Sequence, residues 1–399
     1  MQGIRSGLKH ALRSLTHCGI EVCMEVRVLE QGVIYSGQKS YFGYTAWPSI
    51  ALADNGDLLV VASGMRRRHI CPFGKVVLFR SHDEGKHWSA PMAIVDTPGD
   101  DRDSGIVNLG SGKFLVTTFD SPLDGCKWYE EPERMDTESI FFRAYVDEIG
   151  GMKPYTGSFV YLSDDNAESF RLGAKIPLTA PHGPILAKDG RLVYVGKRDY
   201  SEDVEGVRPP DRPVQCMEST DGGNTWTLLG TIPKPDGMDD EVEYCEPHVT
   251  ELAHGTLLAH IRVQSCYDWR KLRKLPVFTI HQSESYDGGH TWTIGHSTTG
   301  LPLEGDRTGS PPHIMILRDG RLISVYGRRI PPYGQRVMIS EDNGCTWSID
   351  HTLTDTEPDG DMGYPASVQL PCGDIITIAY GKRNAGELCG LYYTRWRLE

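Results

Sequence analysis

The chain has 399 residues, is 39% hydrophobic and carries a net charge of −13. That acidity argues against nucleic acid as the main partner, though a local arginine cluster can still hold a small anion. No apolar stretch is long enough to span a membrane, and 44 Gly, 25 Pro, 18 Tyr and 8 Trp describe a turn-rich β protein.

Residues 1–23 carry Arg5, Lys9 and Arg13 with Leu8, Leu12 and Leu15 at helical spacing, and no acid before Glu21. They lack the continuous apolar core of a secretory signal. They are predicted to lie outside the fold, as a disordered extension or as coding sequence upstream of a start at Met24. The ten cysteines are scattered without a Cys-x-x-Cys pair. Free thiols in a reducing, cytoplasmic compartment are expected.

From there a frame recurs six times: a short β-type run, a turn glycine and a second hydrophobic run, at Gly56, Gly112, Gly190, Gly255, Gly320 and Gly373. The copy around Gly255 runs E-P-H-V-T-E-L-A-H-G-T-L-L-A-H-I-R, with Glu246 opening the first run and Arg262 closing the second. A period of 53 to 78 residues with several short strands per unit predicts a β-propeller. A second marker follows five of the frames. It reads S-H-D-E-G-K-H-W from Ser81, S-T-D-G-G-N-T-W from Ser219, S-Y-D-G-G-H-T-W from Ser285 and S-E-D-N-G-C-T-W from Ser340. The copy from Ser163, S-D-D-N-A-E-S-F, is degraded. Ser and Asp can bond the turn backbone, glycine takes φ > 0, and the aromatic packs behind the next strand.

The sixth unit ends at L-Y-Y-T-R-W-R-L-E without this marker, and Val26–Ile34 precedes the first frame. That N-terminal segment can supply the missing outer strand. The expected fold is all-β: one six-bladed propeller over residues 24–399, closed by the N-terminal strand. Phe119 to Gly157, with Trp128, Tyr129 and five glutamates, reads as an insertion over one face.

Nine residues before the turn glycines stand Trp47, Asp103, Pro181, Glu246, Pro311 and Tyr364. Innermost strands surround the channel, so these positions converge on one of its mouths. An Asp, a Glu and a Tyr gathered there point to a site.

The four well-formed markers resemble the Asp-box of sialidases and related propellers. Glu246, Gly255 and Arg262 reproduce the sialidase spacing of base, turn and clamp arginine, and Tyr364 in Y-P-A-S-V-Q-L resembles the family's tyrosine nucleophile. The resemblance implies an exo-acting glycoside hydrolase that releases a terminal acidic sugar, with Glu246 as base and Tyr364 as nucleophile. Sialidases are an exception to the two-carboxylate scheme: a neutral tyrosine escapes repulsion by the sugar carboxylate. Two alternatives stay open, a propeller glycosidase acting on a different sugar and a non-catalytic glycan-binding propeller.

The chain departs from the family pattern in three places. Ala46 stands where an R-I-P-like motif supplies the first clamp arginine, neither Tyr380 nor Gly381 supplies the acid that steadies it, and no aspartate precedes the first Asp-box in R-R-R-H-I-C-P-F-G-K. For the proton donor the candidates are Asp103, favoured by its frame position, its neighbour Asp101, and His69. For substrate binding they are Arg262, one of Arg66, Arg67 and Arg68, one of Arg328, Arg329 and Arg336, then His182 and Trp47. His69 and Cys71 form an isolated pair, so no metal and no cofactor is expected.

Overall fold

The computed structural model describes residues 25–121, 137–199, 212–236, 238, 242–265 and 276–399. Six small antiparallel sheets make six blades. Their inner strands are Tyr44–Leu52, Asp100–Gly110, Ile185–Leu186, Val242–Glu251, Pro312–Ile316 and Gly363–Gln369. The third blade has its inner edge split, since Leu178–Thr179 also pairs with Leu192–Arg198. Val26–Tyr35 lies antiparallel on Gly390–Leu398 as the outermost strand of the sixth blade, so both ends of the described chain close one ring. Residues 1–23 fall outside the described residues, as do Trp128 and Tyr129 of the insertion.

Apolar packing lies between neighbouring blades rather than in one central mass. The second strand of blade one, Leu58–Arg66, is buried on both faces, which is why it reads L-L-V-V rather than alternating. Its Val60 joins blade six while Leu59 and Val61 join blade two. Each such buried side chain contributes roughly 1.5–3 kcal/mol. Outer strands keep the period of two, as in Ser348–Thr352, where exposed positions alternate with half-buried ones.

The Asp-boxes build as expected. In the first, Gly85 N–H donates to Ser81 Oγ at 2.9 Å, His87 N–H to Asp83 Oδ1 at 2.9 Å, and Trp88 Nε1 to the Gly85 carbonyl at 2.9 Å. The degraded copy keeps the turn: Ala167, at φ 62°, donates to Ser163 Oγ at 3.0 Å. Part of the insertion is a helix, Thr137–Glu148, whose Phe142 packs with Met152, Ile70 and Phe73. It thereby props the loop that follows Arg66. Among the described residues no helix is long and apolar enough to cross a membrane.

Candidate active site

Four of the frame residues, Trp47, Asp103, Glu246 and Tyr364, sit inside the inner strands, at a shared distortion. Cross-strand register slips between Ala46 and Ser49, Arg102 and Gly105, Cys245 and His248, and Gly363 and Ala366. The residue at each slip has positive φ: Trp47 at 52°, Asp103 at 46°, Glu246 at 45° and Tyr364 at 51°. Bulges re-aim side chains, and non-glycine residues in this region are costly and cluster at functional sites. Pro181 and Pro311 cannot adopt such a φ. Four of the six blades therefore carry the same strained bulge.

Tyr364 Oη donates to Glu246 Oε1 at 2.6 Å, although the two residues lie 118 positions apart. Arg262 Nη1 donates to Tyr364 Oη at 3.2 Å and pairs closely with Glu246 Oε2. Arg262 also bonds Gln264. Tyr364 is only 6% exposed, and burial, then the adjacent Glu246 charge, push its phenol well above the usual range. The ground state is thus a neutral phenol with a base already on its proton. This arrangement can deliver a tyrosine oxygen to an electrophile without a free phenolate.

Guanidinium groups surround this pair. Arg262 and Arg329 both lie over Phe278, at 4.9 and 5.5 Å, and Arg329 sits 5.6 Å from the Tyr364 ring. Arg329 donates to the Met362 carbonyl at 2.9 Å and Tyr380 Oη at 3.3 Å, with no carboxylate partner among the described residues. Arg102 lies 4.3 Å over the Trp47 ring, and Trp47 is 6.4 Å from Tyr364. Arg102 stands one residue before its frame position, as Ala46 does in blade one. A guanidinium in the register of the missing arginine thus enters from the next blade. That parallel was present in the sequence; what the sequence hid was that Trp47 lies beneath it.

The other expected residues are placed as follows. Arg66 is fully buried 4.8 Å from Trp47 and doubly bonded to Asp100, at 2.7 and 3.0 Å. Its charge is neutralised within the protein. Arg67 lies over Tyr41, and Arg68 bonds the Ile70 carbonyl. Arg328 and Arg336 both pair with Asp350, and Arg336 also bonds the Thr354 and Gln335 carbonyls from inside its strand. Apart from Trp47 beside Arg66, none of these partners belongs to the Tyr364 cluster.

Asp103 is 8% exposed, its Oδ1 has no partner, and burial raises its carboxyl to about 6. Asp101 turns away to the Thr97 hydroxyl and N–H, at 2.9 and 2.8 Å, and burial raises it to about 7. His69 is half exposed and edge-on to Trp47 at 4.7 Å. His182 is buried with His248 and His313, their ring centroids 4.3 to 5.6 Å apart. This trio lines a cavity of ≈ 420 Å³ that none of the four bulge residues lines. The cavity lacks the base–nucleophile pairing, so chemistry rather than volume locates the site. Among the described residues no group of three His, Cys, Asp or Glu is set to hold a metal ion.

No curated protein matches this sequence. Solved structures match over nearly the whole chain. A protein of unknown function from Dyadobacter fermentans superimposes with a TM-score of 0.70 at 22% identity, covering 94% of this chain and 99% of its own. An intramolecular trans-sialidase from Ruminococcus gnavus gives 0.60 at 15% identity, over 93% and 98%. An alpha-l-arabinofuranosidase from Fusarium graminearum gives 0.64 at 13%, over 93% and 98%. At such identities these likenesses establish the fold. Residues 136–376 match the model of the BNR repeat-like domain, and the chain belongs to that family of sialidase-like six-bladed propellers.

Proposed function

We propose that the protein is a retaining, exo-acting glycoside hydrolase that removes a terminal acidic sugar, with Tyr364 as nucleophile and Glu246 as its base. The observation that carries this reading is the 2.6 Å bond from Tyr364 Oη to Glu246, braced by Arg262. A glycoside hydrolase is also what the sialidase and arabinofuranosidase neighbours suggest.

In the first half-reaction Tyr364 Oη bonds the anomeric carbon as the leaving oxygen departs, and its proton passes to Glu246. Water then displaces Tyr364, which recovers the proton. Arg262 and Arg329 lie against Tyr364 and Arg102 lies over the adjoining Trp47, so a carboxylate beside the anomeric carbon would meet guanidinium groups. Arginine forks suit carboxylates, and Arg329 has no carboxylate of its own. The test is hydrolysis of 4-nitrophenyl glycosides of a sialic acid, of its methyl ester and of arabinofuranose. Turnover of the free acid well above the ester supports the reading. Preference for the ester or for arabinofuranoside assigns the site to a neutral sugar.

A further inference from the structure

The reaction proposed above needs a proton donor for the leaving oxygen, and the family-type aspartate is absent from the loop after Arg66. That loop instead brings His69 to the rim. We propose that His69, oriented by Asp361 and Tyr44, is this donor. The inference rests on the glycosidase reading and adds to it the acid half of the machinery.

Three elements converge to hold the imidazole. Tyr44 Oη, from the inner strand of blade one, lies 3.2 Å from His69 Nδ1 and donates to Asp361 Oδ1 at 3.1 Å. Asp361 Oδ1 is itself 3.5 Å from His69 Nδ1. Arg66 Nη2 fixes the backbone by bonding the His69 carbonyl at 2.8 Å. Phe142 and Met152 pack under Ile70 and Phe73 of the same loop. With Nδ1 turned to Asp361 and Tyr44, Nε2 is the nitrogen left for exchange with a substrate. The side chain is 50% exposed, so a leaving group can reach it. The Trp47 ring centroid lies 4.7 Å from that of His69 and 6.4 Å from that of Tyr364, so donor and nucleophile share one indole neighbour.

Asp103 fits the donor role less well. Its side chain is far less open to a leaving group than that of His69, and the Arg102 charge beside its carboxyl favours the ionised form.

The charged and titratable groups around His69 are Arg66 and Arg102, Tyr44, and Asp361 with its partners Lys382 and Cys389. Burial pulls the imidazole below its usual range and the Asp361 bond acts the other way. The working form is the imidazolium. It gives its Nε2 proton to the leaving oxygen as the glycosidic bond breaks and the Tyr364 bond forms. In the second half-reaction neutral His69 takes a proton from the attacking water. Glu246 returns the first proton to Tyr364, so the sum is glycoside plus water giving free sugar and alcohol.

The experiment compares wild type with His69→Gln, Asp361→Asn, Asp103→Asn and Tyr364→Phe, using 4-nitrophenyl and methyl glycosides of the same sialic acid. Activated aryl groups depart without a donor. His69→Gln is expected to lower kcat/KM on the methyl glycoside on the order of 10²–10⁴-fold, and on the aryl glycoside less than about tenfold. The alkaline limb of its pH profile should vanish. Asp361→Asn should keep that limb and move it to lower pH, a shift that a merely structural loss would not give. Equal losses on both glycosides in His69→Gln, or an unchanged alkaline limb, overturn the proposal. A leaving-group-selective loss in Asp103→Asn instead makes Asp103 the donor. If Tyr364→Phe is inactive while His69→Gln fails this test, only the donor assignment falls. If Tyr364→Phe retains wild-type turnover, or wild type turns over neither glycoside, the proposed acidic-sugar mechanism falls with it.

Discussion

Replacing Glu246 by Gln removes one negative charge and one proton acceptor while keeping the side chain's shape. In the native site the Tyr364 phenol stays neutral because burial and the Glu246 charge hold it well above its usual range. Without a base, attack must come from the small fraction already ionised. At pH 7 a phenol with a pKa of 10 is ionised in about one molecule in a thousand, a deficit of about 4 kcal/mol. We therefore expect kcat on a 4-nitrophenyl glycoside to fall on the order of 10³-fold or more at pH 7. The loss should be recovered in a characteristic way: log kcat should climb with unit slope as pH rises, because hydroxide now generates the phenolate. Wild type should show no such climb. The assay is kcat against pH from 6 to 10 for both proteins, with circular dichroism confirming the fold. A flat profile in the variant, or activity near wild type, would refute Glu246 as the base of Tyr364.

Arg262→Lys keeps the charge but loses the planar guanidinium whose Nη1 holds Glu246 and Tyr364 while Nη2 holds Gln264. Binding of the acidic sugar should weaken roughly ten- to hundredfold, and that of its methyl ester less; equal weakening would contradict a carboxylate clamp. The buried histidines give a stability prediction. Burial lowers His248 to about 4, against about 6.5 when unfolded. Between these values the unfolded chain binds the extra proton, so this contribution is complete above about pH 6.5 and lost on descent through pH 4. Its size is about 3 kcal/mol. Buried carboxyls such as Asp101, raised to about 7, act with opposite sign over an overlapping range. The comparison is therefore with His248→Asn, whose Oδ1 can still accept the Ile314 N–H that His248 Nδ1 accepts at 3.2 Å. In urea unfolding, the wild-type advantage over His248→Asn should shrink by about 3 kcal/mol from pH 7 to pH 4; a constant difference would contradict it.

The parts of this molecule legible in the sequence are those fixed by local geometry. The turn glycines set a frame, and all six have positive φ. Counting from that frame singled out Glu246, Tyr364, Asp103 and Trp47, although the positive-φ bulge they share was not foreseen. Closure by the N-terminal strand was legible because the last unit lacked an outer strand. What stayed hidden arises between blades. Arg102 matters through its stacking on Trp47 from the neighbouring blade, and Asp361 through a bond to a histidine 292 positions away. Arg328 and Arg336 illustrate the converse: each lies near the expected point of the chain, yet Asp350 draws both away. Arg329, just past the strand end at Arg328, is the one that reaches Tyr364.

The central claim is that Tyr364 forms the covalent bond to the sugar. It is tested most directly by trapping that bond with a deoxyfluoro glycosyl fluoride of a sialic acid, in which fluorine slows hydrolysis of the intermediate. Wild-type protein should gain one glycosyl mass, with fragmentation placing it on the peptide containing Tyr364 and on the tyrosine itself. Tyr364→Phe should gain none. An adduct on another residue, such as Glu246 or Asp103, or turnover of the reagent by Tyr364→Phe at the wild-type rate, would contradict the mechanism.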